Sequence, residues 1–295
     1  MTRLRADLAK PVLCGVDFSR HSRPALRHAA IVATRLKRPL TVLFVNDPLL
    51  AAAAEYEYDR RAIDAHTLDE LQRFVRRALG RMLPGHIEYA VTIGQPARAL
   101  ADTGARLEAT LVAIGTHGLG GVHALLFGST AAQLVTTSSV PVLVVPSSRR
   151  RRPPEEWPGP RIAMAVDSGD EVEAAVHLAT EFAEQLRVEL VLFNMPLPAA
   201  KTHWFMPRHS DSHTLDEGGE ARRPRVPDVV AGRVEIEVLS RDTLEAISAL
   251  LQRRRIGLMM LTKRVAASLS HAHPDVLHEI LTKASTPLLV LPCSV

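Results

Sequence analysis

Between Ile114 and Thr130 the chain reads Ile-Gly-Thr-His-Gly-Leu-Gly-Gly-Val-His-Ala-Leu-Leu-Phe-Gly-Ser-Thr, the stretch whose residue types and spacing could do chemistry. Gly115, Gly118, Gly120 and Gly121 clear side chains from the backbone, so successive N–H groups can approach phosphate oxygens. Gly128, followed by Ser129 and Thr130, reads as a helix start that adds free N–H donors, the positive end of a helix dipole and two hydroxyls. The ligand suited to such a loop is a polyphosphate. No Gly-Lys-Ser/Thr closes it, which sets it apart from the Walker A loop, and Gly118-x-Gly120 lacks the third glycine of the dinucleotide fingerprint. Within the loop, His117 is of a type that can shuttle protons, and also of a type that simply packs a turn.

The loop needs a strand before it and a helix after it, and the surrounding sequence supplies both. Thr110–Ile114 is a short apolar run, and 129–137 has helical spacing. Upstream, Pro11–Asp17 and Leu40–Val45 read as buried parallel strands around a helix over Arg23–Lys37. The segment Asp47–Leu83 starts as a loose Ala-rich stretch and turns helical around Ile63, Leu68, Leu71, Val75 and Leu79, until Pro84-Gly85 stops it. His86–Ile93 is a third strand, Gln95–Leu107 a helix with Pro96 in its first turn, and Val140–Val145 the closing strand. Alternating strands and helices predict a parallel sheet covered on both faces, with ligands bound beyond the carboxyl ends of its strands. Asp17 ends the first strand at that edge, where a turn former and a ligand contact are both in keeping. Cys14, inside the strand, reads as a small buried hydrophobe.

Past Ser147–Pro160, a stretch with four arginines, Pro153-Pro154 and Pro158-Gly-Pro160, the pattern restarts. Arg161–Asp167, Val188–Phe193, Val234–Leu239, Gly257–Leu261 and Thr286–Leu291 repeat the five strands. We therefore expect domains at 1–146 and 161–295 joined by an exposed linker at 147–160. Pro196–Gly232 replaces the long helix with a Pro-, His- and Arg-rich stretch, expected to be a mobile loop.

The spacing of Gly115, Gly118, Gly128 and Ser129 resembles the ATP-binding signature of universal stress proteins. The resemblance continues through Gly15-Val-Asp17-Phe-Ser19, the strand end at Val45, Gly94-Gln-Pro-Ala97 and Pro141–Val145, and covers nearly the whole chain once the repeat is included. It implies two open five-stranded parallel sheets with helices on both faces, an α/β tandem repeat paired as an intramolecular pseudo-dimer through Val142–Val145 and Leu288–Leu291. It further implies ATP as the ligand, with Mg²⁺ as the ion that can accompany it. Asp17 and Val45 would lie at the adenosine end, Asp17 hydrogen-bonding and Val45 lining the base, with Gly15 and Val16 also among the nucleotide-binding residues. Gly115, Thr116, His117, Gly118, Gly120, Gly121, Gly128, Ser129 and Thr130 would hold ribose and phosphates.

In the second copy Thr262 stands opposite Gly115, Val265 opposite Gly118, and Pro274-Asp275 opposite Gly128-Ser129. A β-branched residue, a proline and a carboxylate do not make a phosphate loop, so this copy is expected to have lost the site. Lys263 and Arg264 leave another anion open. His209 with His213 and His271 with His273 have metal-like spacing, but no acidic or cysteine partner completes a set.

Composition bounds the rest. The 295 residues are 46% apolar and 4% aromatic, with 36 Lys and Arg against 32 Asp and Glu. Much of the basic excess sits at Arg149–Arg152, and no aromatic platform accompanies it, which argues against nucleic-acid binding. Two cysteines, no apolar leader in Met1–Lys10 and no membrane-length apolar run point to the cytoplasm. The expected function is an ATP-binding stress or signalling module with hydrolysis slow or absent. The alternatives are a weak ATPase or adenylate-handling enzyme, and a nucleotide-independent scaffold. A homodimer and an unidentified protein partner remain open.

Overall fold

The structure is a computed structural model that describes residues 10–57, 59–82, 84–116, 128–146, 157–166, 172–194, 234–238, 243–272 and 286–292. In the first half β1 (Val12–Val16), α1 (Ser22–Arg35), β2 (Leu40–Asn46), α2 (Pro48–Glu57), α3 (Arg60–Leu79), β3 (Ile87–Ile93), α4 (Pro96–Arg106), β4 (Leu111–Gly115), α5 (Ser129–Thr137) and β5 (Val142–Val145) follow in turn. The second half contributes β6 (Arg161–Val166), α6 (Val172–Leu186), β7 (Glu189–Asn194), β8 (Val234–Val238), α7 (Thr243–Arg253), β9 (Ile256–Thr262), α8 (Lys263–Ala272) and β10 (Leu288–Leu291).

The strands form one sheet in the order β3-β2-β1-β4-β5-β10-β9-β6-β7-β8. Each half is parallel throughout, and the two meet where β5 and β10 run antiparallel, with Leu143 opposite Leu289. The closing strands thus pair as expected, and each half hides the other's apolar edge. Antiparallel pairing of like edges relates the halves by a pseudo-twofold axis through the seam, so equivalent helices share a face. One core layer collects residues of α1, α3 and α6, and the other collects residues of α4, α5, α7 and α8.

The repeat extends to a detail that periodicity does not reveal. The turns after α1, α4, α6 and α7 each hold a non-glycine residue in the left-handed region: Lys37 (φ 52), Glu108 (φ 46), Arg187 (φ 57) and Arg255 (φ 57). After the first three, the next N–H bonds back five residues, Arg38 to Ala33, Ala109 to Gly104 and Val188 to Ala183. This is the helix-stop geometry usually given to glycine.

Two local expectations change. The Ala-rich start of 47–83 is not loose: Pro48–Glu57 is helical, as Ala propensity and a proline at the first helical position favour. The end of the connector is not exposed either. Trp157 is only 2% exposed, its indole N–H donates to the Gly257 carbonyl at 2.6 Å, and its ring meets His28 edge-on at 4.8 Å. An aromatic of that area is buried wherever a core can take it. The expected mobile loop at Pro196–Gly232 lies outside the described residues. Among the described residues no helix is long and apolar enough to cross a membrane.

Candidate functional site

In the first half the sheet order makes β1 the point where the winding reverses, with α1 on one face and α4 on the other. Crevices at such switch points are where open α/β sheets bind ligands. Val16 pairs with Phe44, and Gly115 with Val145, so β1, β2 and β4 reach the same edge together. Asp17, Val45 and Thr116 are gathered there.

The chain is held tightly where it leaves β1. Asp17 Oδ1 accepts the Ser19 N–H at 3.0 Å, and Ser19 Oγ accepts the N–H groups of His21 (3.1 Å) and Ser22 (3.3 Å), which caps α1. Asp17 is thus a turn former through one oxygen. Its other oxygen makes no hydrogen bond within the described residues. Between them Phe18 adopts φ 60, a conformation that is costly for a bulky residue. Its ring is pinned by Phe44 at 4.4 Å and Phe74 at 5.6 Å. Sequence reasoning passed over Phe18 because nothing in its type signals a left-handed backbone. The signal for Ser19 was present in the Asp-x-Ser-x-x-Ser spacing of a side-chain-capped turn.

Gly15 has a packing reason for being glycine. A Cβ there would come within 2.8 Å of Leu100 Cδ1 on α4. Val16 is buried, and Val45 is partly buried against the layer that contains α4. Cys14 is fully buried, and that burial pushes its thiol well above the usual range, in keeping with an inert core residue.

At β4 the two ends of the glycine-rich loop are tied together. Thr116 N–H donates to Val145 O at 3.0 Å, and Gly128 N–H donates to Thr116 O at 2.6 Å. Gly128 is the N-cap of α5; among the described residues no side chain caps that end, and the first turn carries no acidic residue. Ser129 is exposed and Thr130 partly buried. A helix start with no acidic residue in its first turn is chemistry that accepts an anion. His117, Gly118, Gly120 and Gly121 lie outside the described residues.

The second half departs at the same position. β9 runs straight into α8, Thr262 Oγ1 accepts the Val265 N–H at 3.2 Å, and Val265 is fully buried. The position opposite Gly118 is therefore a core residue of a helix. Lys263, left open above as an anion ligand, donates instead to Thr136 O of α5 at 3.2 Å. His209, His213 and His273 lie outside the described residues, and among those described there is no cluster of three or more potential metal ligands.

This architecture is a doubly wound α/β sheet with halves joined edge to edge, and known proteins share it. Residues 9–146 match the model of the Universal stress protein family. A universal stress protein of Mycolicibacterium smegmatis is 26% identical over 236 residues, covering 76% of this chain and 79% of its own. Among solved structures, a universal stress protein from Archaeoglobus fulgidus superposes with a TM-score of 0.63 at 15% identity, covering 96% of both chains. A protein of unknown function from Pseudomonas aeruginosa does so with 0.56 at 15% identity, covering 98% of this chain and 94% of its own. The family match thus lies in the first half, over residues 9–146, and the curated relative that the chain resembles beyond that half is a universal stress protein.

Proposed function

We propose that the first half binds ATP at the edge formed by Asp17, Val45, Thr116 and Gly128, as the nucleotide-responsive part of a stress or signalling module. The observation that carries this reading is the 2.6 Å bond from Gly128 N–H to Thr116 O, which ties the two ends of the glycine-rich segment together beside the start of α5 at the switch-point edge of the sheet. The residues fit the ligand. A carboxylate at Asp17 suits hydroxyl or amino donors of an adenosine, and Val45 offers an apolar wall. Gly115, Gly118, Gly120 and Gly121 let N–H groups reach phosphate oxygens, with Ser129 and Thr130 as hydroxyl donors and Mg²⁺ as the countercharge the triphosphate brings. Gly15 and Val16 shape the strand end beneath. The match of residues 9–146 to the Universal stress protein family supports the same reading.

The role is binding rather than turnover, because efficient phosphoryl transfer needs a positioned base and metal-holding carboxylates beside the phosphates, which this loop sequence does not supply. Equilibrium titration of the full chain with ATP tests it, beside a Gly128→Val variant that crowds the loop closure. We expect saturable binding by the wild type and loss of binding in the variant; wild-type protein with no affinity for ATP sinks the reading. Incubation of the complex for hours with and without Mg²⁺ should leave the ATP intact, and ADP accumulating at a steady rate would assign the enzyme role instead.

A further inference from the structure

Losing its loop changed what the second half can do at the end of β9. The repeat sets Lys263 opposite Thr116. In the first half that residue closes the loop through its backbone, whereas in the second it opens a helix and its side chain reaches across the seam. Its base is rigid, since Thr262 caps the helix start and both Val265 and Ala266 are buried. The ammonium bonds Thr136 O in the last turn of α5, where carbonyls lack partners and a positive charge opposes the dipole. The other end of that helix is Gly128, bonded to Thr116. Nine residues of α-helix span roughly 13 Å, so α5 is a short strut with the candidate phosphate site at its head and the second half at its foot.

We propose that Lys263 is a positioning residue for the nucleotide site: by anchoring the foot of α5 it holds the N-terminal turn against the phosphates, and the second half thereby sets the affinity of the first. This inference rests on the ATP reading above and gives the half without a phosphate loop a regulatory task.

The test uses the full chain with three sequences: wild type, Lys263→Glu and Lys263→Arg. ATP affinity is measured by calorimetry, and amide hydrogen exchange is followed without nucleotide. Lys263→Glu should weaken ATP binding about fivefold, the scale of a reversed charge at a helix end. It should also raise exchange over 132–138 while leaving the strands protected, and Lys263→Arg should stay within about twofold of wild type on both readouts. Wild-type affinity in Lys263→Glu, or unchanged exchange over 132–138, overturns the inference while leaving the ATP reading intact. A general rise in exchange through both halves overturns it too, since that reports lost folding rather than a displaced helix. If the wild type itself does not bind ATP, the nucleotide reading falls and takes the affinity claim with it; the exchange data then show separately whether the anchor exists.

Discussion

Phe18 carries a backbone that its side chain pays for. At φ 60 an L-residue is strained by about 1–2 kcal/mol, and the contacts with Phe44 and Phe74 offset it. Replacing Phe18 by alanine removes the rings and keeps the strain, whereas glycine removes both. Phe18→Gly should therefore be the more stable of the two by about 1 kcal/mol, inverting the usual order, as read from urea midpoints. Gly15 is constrained differently, by the buried Leu100 side chain rather than by its own backbone. Gly15→Ala should cost about 1–3 kcal/mol through overpacking, and Gly15→Ala with Leu100→Val should recover much of that loss. A result in which Leu100→Val gives no rescue would place the cost elsewhere.

At the scale of elements, the four left-handed helix stops are sites where nature did not use the cheapest residue. Arg187 is exposed, and among the described residues its side chain has no hydrogen bond or ion pair, so glycine there should stabilise the fold by about 0.5–1 kcal/mol, measurable as a raised denaturation midpoint. Lys37 and Glu108 show why the ends of α1 and α4 were harder to read than their middles. Apolar spacing marks the buried faces of these helices, but lysine and glutamate carry no stop signal. The helix over Pro48–Glu57 escaped for the opposite reason: an Ala-rich stretch has strong helical propensity but no apolar face to reveal a period.

For the whole molecule, the connector is a clasp. Trp157 bonds β9 of the second half through its indole N–H and packs on His28 of the first. His28 Nδ1–H donates to Pro24 O at 2.7 Å, and burial, with a smaller contribution from Arg27, outweighs that bond and lowers its pKa to about 4. The folded state therefore resists the proton that the unfolded chain takes up near pH 6.5. Stability is retained above that pH and falls as pH drops from 6.5 toward 4, by up to about 3 kcal/mol from this residue. Urea midpoints at pH 7 and pH 4.5 should differ less in His28→Asn than in the wild type; equal losses would show that other groups dominate. Trp157→Phe should cost about 1–3 kcal/mol at any pH, because it leaves the buried Gly257 carbonyl without its donor.

Local sequence determined more of this protein than its low relatedness to solved structures suggests. Buried strands of Val, Leu and Ile, helices at 3.6-residue spacing and a restart after the prolines are local patterns, so the doubly wound halves were legible, while the pairing of the closing strands followed only from the resemblance to universal stress proteins. So were the glycines whose spacing resembles a nucleotide loop, and Thr262 and Val265 as departures from it. Tertiary structure alone decided the rest, because each remaining feature joins residues distant in the chain. Leu100 explains Gly15, Phe44 and Phe74 hold Phe18, Gly257 and His28 bury a tryptophan in an otherwise polar connector, and Thr136 turns Lys263 from a candidate anion ligand into a support for α5. Periodicity reports which face of an element is buried; which side chain waits on the other side depends on how the halves dock.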